Sequence, residues 1–157
     1  MPITVGQAAP DFEIPLSGGK TKFKLSNCKG KHNAVLLFFP LAWTPVCTSE
    51  LCTIRDTFQD YKDLDANVVG ISVDSPFALA KFKEENNYPF DMASDFNKDV
   101  SKTYGTLYDD LMGFKGVCKR SAFVIDKEGK VVYAEVNEDA GQVPNFEKIK
   151  EALKKLA

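Results

Sequence analysis

Ala34-Val35-Leu36-Leu37-Phe38-Phe39 is an unbroken apolar run of strand length, and it stops at Pro40. A run without polar alternation suits a central strand that is covered on both faces of a sheet. Thr44 and Pro45 follow closely, and they are typical of an N-cap and of a first helical position. Apolar residues then recur at helical spacing, at Leu51, Ile54 and Phe58. These residues predict a buried strand that leads into a helix.

The rest of the chain continues this alternation of strands and helices. The predicted elements are a hairpin around Ser17-Gly18-Gly19-Lys20, a strand over 67–73, a helix from Ser75-Pro76 to about Asn87, a short segment near Phe90, a weaker helix over 98–104, hairpin strands over 121–125 and 130–136, and a lysine-rich amphipathic helix over 145–156. Strand–helix–strand units give parallel pairs, and a terminal hairpin adds antiparallel strands. We therefore predict an α/β, thioredoxin-like fold, although the periodicity alone is also compatible with other small α/β sheets. It has a central mixed β-sheet flanked by helices and an N-terminal hairpin extension, in a single domain over 1–157.

The composition excludes several classes of function. The chain has 157 residues with 20 basic and 22 acidic side chains, so its net charge of −2 leaves no basic surplus for binding nucleic acid. The start, Met1-Pro2-Ile3-Thr4-Val5, lacks the basic and apolar regions of a signal peptide. No apolar run approaches the roughly 20 residues of a membrane span. We therefore expect a cytoplasmic protein without nucleic-acid or membrane partners, whose four cysteines are kept reduced.

Cys47 is the first candidate for chemistry. With Thr44 as the N-cap, Cys47 is the third residue of the predicted helix and lies in its first turn. The unpaired N–H groups and the positive end of the helix dipole favour a thiolate there. A cysteine that follows a buried strand is also common as a small core residue. The local pattern alone is compatible with both interpretations.

The motif Pro40-x-x-x-Thr44-x-x-Cys47 resembles the signature of the peroxiredoxins, which reduce peroxides with a cysteine thiolate. Arg120-Ser121-Ala122-Phe123-Val124-Ile125-Asp126 is similar to that family's arginine-bearing strand. The resemblance runs from Gly6-Gln7-Ala8-Ala9-Pro10-Asp11-Phe12 to the last hairpin. It implies a thiol-dependent peroxidase that reduces hydrogen peroxide and organic hydroperoxides through a cysteine sulfenic acid, without a cofactor. It also implies recycling by thioredoxin or a glutaredoxin-like thiol donor, and it is compatible with a homodimer.

The resemblance assigns a role to each residue of the motif. Cys47 is the expected nucleophile, Thr44 brings its hydroxyl to the thiolate or the peroxide, and Pro40 shields the thiolate from solvent. Arg120 favours the thiolate and holds donors on the peroxide, because a guanidinium stabilises only the charged form of the thiol. Glu50, one turn beyond Cys47, is expected to help position the arginine; the alternative is that it belongs to a solvated face of the helix.

A second thiol usually condenses with an oxidised nucleophile to give a disulfide. The spacing Cys47-x-x-x-x-Cys52 resembles the Q-type peroxiredoxins, also called bacterioferritin comigratory proteins. Five helical residues advance about 7.5 Å and turn about 140° beyond one revolution, whereas a disulfide tolerates a Cα separation of about 7 Å at most. A resolving Cys52 therefore requires local unwinding of the helix. The alternatives are Cys118, which lies close to Arg120 in sequence, and an external thiol, as in the similar alkyl-hydroperoxide-reductase-E type.

The same scaffold is compatible with two other functions, disulfide exchange and redox sensing. Thioredoxin-type disulfide exchange normally uses Cys-x-x-Cys, a spacing that this chain lacks. A non-enzymatic redox-sensing protein would retain only the scaffold. No metal is expected, because structural zinc sites use two closely spaced ligand pairs and only Cys47 and Cys52 form one. We expect Cys28 to be inert and His32 to be solvated.

Overall fold

A computed structural model describes residues 3–156 of the chain. Its elements are β1 (Glu13–Pro15), β2 (Lys22–Lys24), a 3₁₀ turn (Leu25–Cys28), β3 (Asn33–Phe38), α1 (Pro45–Asp56), α2 (Phe58–Asp63), β4 (Ala66–Ser72), α3 (Pro76–Asn86), β5 (Asp91–Ser94), α4 (Asp99–Tyr104), β6 (Arg120–Ile125), β7 (Val131–Asn137) and α5 (Phe146–Lys154). Three terminal residues lie outside the described part of the chain. Met1 and Pro2 belong to the stretch where no signal peptide is predicted, and Ala157 is the end of the predicted domain. No helix of residues 3–156 combines the length and the apolar character that crossing a membrane requires.

The main sheet has five strands in the order β5-β4-β3-β6-β7. Strand β3 runs parallel to β4, and β4 runs parallel to β5. The hairpin of β6 and β7 adds two antiparallel strands on the other side of β3. Strands β1 and β2 form a separate antiparallel pair. The predicted central mixed sheet and N-terminal hairpin are therefore confirmed.

Strand β3 lies at the centre of the sheet, and all of its residues are buried. Its side chains alternate between two apolar clusters. Val35 and Leu37 contribute to a cluster that contains residues of α1, α2, α3 and α5. Leu36 and Phe38 contribute to a second cluster, with residues of α4 and the β1–β2 hairpin. Helices therefore cover both faces, which explains why β3 is apolar from Ala34 to Phe38.

Helix α1 begins where the sequence predicts and ends earlier than its apolar pattern suggests. Thr44 is the N-cap residue and Pro45 opens the helix. The helix ends at Asp56 because Thr57 leaves helical geometry, with φ −116° and ψ 20°. Phe58, the last apolar residue of the predicted pattern, instead opens the short helix α2.

The segment between α4 and β6 forms a hairpin that the sequence did not predict. Leu107 and Cys118 are bridge partners at its base, and Leu111 and Phe114 are bridge partners near its tip. The backbones of Leu111 and Phe114 exchange two hydrogen bonds of 2.9 Å. Met112 and the glycine that follows it occupy the two-residue turn, both with positive φ. This 107–118 hairpin leaves Met112 exposed to solvent.

Candidate active site

Cys47 and Arg120 meet at the carboxyl end of β3. Cys47 lies in the first turn of α1, and Arg120 opens β6, whose start pairs with the end of β3. Nη2 of Arg120 donates a hydrogen bond to Sγ of Cys47 at 3.2 Å. Both side chains are buried. A permanent positive charge in contact with a buried sulfur stabilises the thiolate form.

Glu50 and Ala140 hold the guanidinium of Arg120 in place. Nη1 donates to Oε2 of Glu50 at 2.7 Å, and Nε donates to the carbonyl of Ala140 at 2.9 Å. Each nitrogen of the guanidinium therefore has its own acceptor, which fixes the plane of the group. The glutamate itself is buried, and no partner within residues 3–156 binds its Oε1. Burial raises the pKa of Glu50 to about 7, against the lowering effect of the Arg120 charge.

The first turn of α1 leaves backbone donors near the sulfur. Pro45 has no N–H, and in the described part of the chain the Thr44 side chain makes no capping hydrogen bond. Its hydroxyl donates to the carbonyl of Leu41 at 2.9 Å instead. Of the two positions that the resemblance implies for this hydroxyl, on the thiolate or on the peroxide, the structure does not show the one on the Cys47 sulfur. The amides of Val46 and Cys47 remain as first-turn donors that can bind an anionic oxygen.

A cavity of about 600 Å³ opens beside these residues. Arg120 lines it together with Pro40 and Thr44, so three of the predicted site residues face one space. Two acidic residues, Glu138 and Asp139, also line the cavity. The rest of its lining is apolar and consists of Leu41, Pro45, Val46, Leu111, Met112, Phe114, Ala140 and Gly141. Cys47 is fully buried and does not itself line the cavity, so Arg120 connects this space to the sulfur.

Cys52 lies apart from Cys47 on the same helix. Both thiols are free, and both belong to the continuous helix α1. Sγ of Cys52 is half-buried and lies 3.7 Å from Oη of Tyr88. The same hydroxyl donates to the carbonyl of Thr48 at 3.4 Å. A disulfide between Cys47 and Cys52 therefore needs part of α1 to unwind, as the spacing predicts.

The other two cysteines are buried on the opposite face of β3 from Cys47. Cys118 belongs to the apolar cluster on the opposite face of β3 from Cys47, with Sγ 3.1 Å from Oγ of Ser101. Burial raises the pKa of Cys118 to about 12. Cys28 is buried in the same cluster as Cys118, and it accepts a hydrogen bond from Nδ2 of Asn67 at 3.6 Å. The structure therefore brings neither thiol to Cys47.

No metal site accompanies these residues in the described part of the chain. Among residues 3–156, no group of three or more His, Cys, Asp or Glu side chains is arranged to hold a metal ion. His32 is exposed, and its Nδ1 lies 2.7 Å from Oδ1 of Asp65.

Sequence reasoning missed three features of the site. The Ala140 carbonyl carries no signal in sequence, because any residue type supplies a backbone acceptor. The contribution of Met112 to the cavity depends on the unpredicted 107–118 hairpin. Asp74 accepts a hydrogen bond from the backbone of Ala42, in the loop before α1. A signal for Asp74 did exist, since it follows β4 at the sheet edge where β3 also ends, and carboxyl ends of parallel strands meet at one edge.

Together, a mixed sheet covered on both faces and a buried cysteine beside an arginine define a thiol-dependent enzyme with a thioredoxin-like fold. The profile of the AhpC/TSA family matches residues 5–134. The chain belongs to this family, the peroxiredoxins, and it is a thiol-dependent peroxidase. Both the predicted family and the predicted class of enzyme are confirmed.

Known relatives extend the likeness over most of the chain. Peroxiredoxin Bcp of Bacillus subtilis is 41% identical over 138 residues, which cover 84% of each protein. The crystal structure of peroxidoxin BcpB from Mycobacterium tuberculosis superimposes with a TM-score of 0.88 at 32% identity, over 99% of each chain. A peroxiredoxin-like protein from Aquifex aeolicus gives a TM-score of 0.89 at 27% identity, over 100% of this chain and 90% of that one. The predicted fold is thus that of known peroxiredoxins.

Proposed function

We propose that this protein reduces hydrogen peroxide and organic hydroperoxides with Cys47 as the nucleophile. The observation that carries the proposal is the 3.2 Å hydrogen bond from Arg120 to Sγ of Cys47 in a buried site. The mostly apolar cavity beside Arg120 supports a substrate range that includes organic hydroperoxides.

The proposed reaction is an in-line displacement at oxygen. Sγ of Cys47 attacks one peroxide oxygen, so that an S–O bond forms while the O–O bond breaks. The electron pair of the broken bond leaves with the second oxygen as hydroxide or alkoxide, which takes up a proton. Cys47 becomes a sulfenic acid. Because negative charge moves from sulfur to the leaving oxygen, fixed donors along that path lower the barrier.

The remaining site residues are assigned supporting roles. Arg120 and the first-turn amides of α1 supply donors to the peroxide. Glu50 orients the guanidinium by binding Nη1, which leaves Nη2 for the sulfur. Pro40 limits the access of water to the site. Thr44 acts on the peroxide after its hydroxyl turns away from the carbonyl of Leu41.

We assign resolution to Cys52. When α1 unwinds, the Cys52 thiol attacks the sulfenic sulfur of Cys47, the S–O bond breaks, the oxygen leaves as water, and an intramolecular disulfide forms. The burial of Cys118 on the opposite face of β3 argues against that thiol, and an external thiol is the remaining alternative. Thioredoxin or a glutaredoxin-like donor would then reduce the disulfide. The likeness to peroxiredoxin Bcp supports one peroxiredoxin domain over 1–157 and a cytoplasmic location, and a homodimer is the assembly that we propose.

Replacement of Cys47 tests the proposal directly. The purified protein is mixed with hydrogen peroxide or cumene hydroperoxide and a thioredoxin system, and peroxide consumption is followed. Cys47→Ser is expected to abolish turnover while the protein stays folded. Cys28→Ser, at a buried thiol outside the site, serves as the matched control and is expected to retain turnover. Appreciable turnover by Cys47→Ser contradicts the proposal.

A further inference from the structure

Asp74 ties the loop that precedes α1 to the edge of the sheet. Its Oδ2 accepts hydrogen bonds from the amide of Ala42 at 2.8 Å and from Oγ of Ser72 at 2.6 Å. Ala42 lies in the loop that joins β3 to α1. At the start of this loop the amide of Phe39 donates to the carbonyl of Ile71 in β4 at 3.0 Å. Among the described residues, the bond to Asp74 is then the one hydrogen bond that connects residues 40–44 to a part of the protein other than α1.

The loop does not hold its shape by local preference. Trp43, the residue after Ala42, has φ 74°, in the left-handed region that side chains other than glycine disfavour. Its ring is half exposed and lies 5.2 Å from the ring of Phe82. Such a conformation persists only where its surroundings impose it. Two hydrogen bonds flank Trp43 here: Thr44 donates to the carbonyl of Leu41 within the loop, and Ala42 donates to Asp74, which ties the loop to the sheet.

Asp74 is itself rigidly held. Its amide donates to Oγ of Ser72 at 3.2 Å, and its carbonyl accepts from Oγ of Ser94 at 2.6 Å. Both serines are buried at the carboxyl ends of β4 and β5. The carboxylate is therefore fixed relative to the sheet, whereas the loop that it binds leads straight into the first turn of α1.

We propose that Asp74 is a positioning residue that holds the loop 40–44 and the first turn of α1 in the conformation that reacts with peroxide. Release of the Ala42 amide from Asp74 then accompanies the unwinding that exposes oxidised Cys47 to a second thiol. This inference rests on the proposed function of Cys47. Asp74 acts through the loop and does not touch the reacting atoms.

The hydrogen bond from Ala42 to Asp74 has opposite consequences for peroxide reduction and for disulfide formation. The intact bond keeps the donors around Cys47 in place, so it favours attack on the peroxide. The same bond opposes unwinding, so it delays capture of the sulfenic acid by a thiol and prolongs exposure to a second peroxide. Oxidation by that second peroxide gives a sulfinic acid and water. A weaker bond is therefore expected to slow the first step and to protect against over-oxidation.

Amide hydrogen exchange of the reduced protein tests the anchor without any peroxide. Asp74→Ala is expected to speed exchange of the amides over 42–48 by about tenfold, as loss of a hydrogen bond to a charged acceptor predicts. Asp74→Asn, a neutral and weaker acceptor, is expected to give a smaller increase. The matched control is Asp126→Ala at the opposite end of the sheet, where one carboxylate oxygen accepts from the amides of Glu128 and Lys130, both at 2.9 Å.

The two reaction steps are then measured in the same proteins. Asp74→Ala is expected to lower the rate constant of peroxide reduction by about tenfold while a smaller fraction of Cys47 reaches sulfinic acid in excess peroxide. Asp126→Ala is expected to change neither quantity. If Asp74→Ala leaves exchange over 42–48 unchanged, or if Asp126→Ala has the same effects, the positioning role is rejected.

The Asp74→Asn variant provides the test if Asp74→Ala does not fold. Unchanged hydrogen exchange of the Ala42 amide in Asp74→Asn would then reject the proposal. Hydrogen exchange is recorded on the reduced protein, so it tests the bond between Ala42 and Asp74 without any peroxide chemistry. The proposed function fails separately, if the wild-type protein does not consume peroxide.

Discussion

Nη2 of Arg120 lies 3.2 Å from Sγ of Cys47, although 73 positions separate the two residues in sequence. The contact joins the start of β6 to the first turn of α1, so it depends on the antiparallel pairing of β6 with β3. The buried sulfur is therefore close both to a guanidinium charge and to a helix N-terminus, and each of these favours a thiolate.

Arg120→Met is expected to lower the rate constant of peroxide reduction by about 100-fold or more, because a charge and fixed donors are lost together. Arg120→Lys is expected to restore only part of the rate, since an ammonium cannot reproduce the fork that serves Cys47, Glu50 and Ala140. Rapid-mixing kinetics measure the rate constant in each variant.

The other arginine supplies the control. Arg55 lies near the end of α1, where it pairs with Asp56 and donates to the carbonyl of Asn86. Because it contacts neither Cys47 nor the cavity, Arg55→Met is expected to leave the rate constant of peroxide reduction unchanged. An Arg120→Met protein with the wild-type rate would show that the guanidinium does not assist the reaction.

Glu50 is expected to make stability fall as the pH rises through the acid range. Burial raises its pKa from 4.5 to about 7, so the folded chain holds a proton that the unfolded chain releases at lower pH. The stabilisation is therefore complete below about pH 4.5 and is lost as the pH approaches 7. In Glu50→Gln this loss is expected to disappear, as denaturant unfolding at a series of pH values would measure. Glu147→Gln, on the exposed surface of α5, is the control, and parallel pH profiles for Glu50→Gln and the wild type would contradict the prediction.

Cys52→Ser is expected to separate peroxide reduction from resolution. In the wild type, one equivalent of peroxide should remove two free thiols per chain without joining subunits, and helical circular dichroism should decrease as α1 unwinds. In Cys52→Ser the first turnover remains, the helical signal persists, and excess peroxide drives Cys47 to sulfinic acid. Peptide mapping that finds Cys47 bonded to Cys118, or to no thiol in the chain, would reject Cys52 as the resolving residue.

Cys118 is expected to resist alkylation in the folded protein. Burial raises its pKa to about 12 and excludes the reagent, whereas Cys52 is only half-buried. Mass spectrometry after brief treatment with iodoacetamide near neutral pH should therefore find Cys52 modified and Cys118 intact. Unfolding in denaturant should make both thiols reactive. Equal labelling of the two thiols in the folded protein would contradict the burial of Cys118.

The sequence predicted those features that have local signals. An apolar run, an N-cap and a proline predict β3 and the start of α1, and the motif places Cys47 in its first turn. The bond from Ala42 to Asp74 could not be predicted in the same way, because it joins groups 32 positions apart and depends on how β3 and β4 pair. The tip of the 107–118 hairpin was missed for another reason. Met112 has φ 53° in a turn where asparagine, aspartate or glycine would be the usual signal.

The 107–118 hairpin has a further consequence for how this enzyme can be altered. It leaves and rejoins the protein at adjacent points, since Leu107 and Cys118 are bridge partners. Its tip lines the cavity, yet the groups that hold Arg120 come from α1 and from Ala140. Exchanging the residues around Met112 is therefore expected to remodel this wall of the cavity while the reactive cysteine and its arginine stay in place. The fold thus combines a fixed reaction centre with a replaceable cavity wall, which makes it suitable for engineering peroxidases of different selectivity.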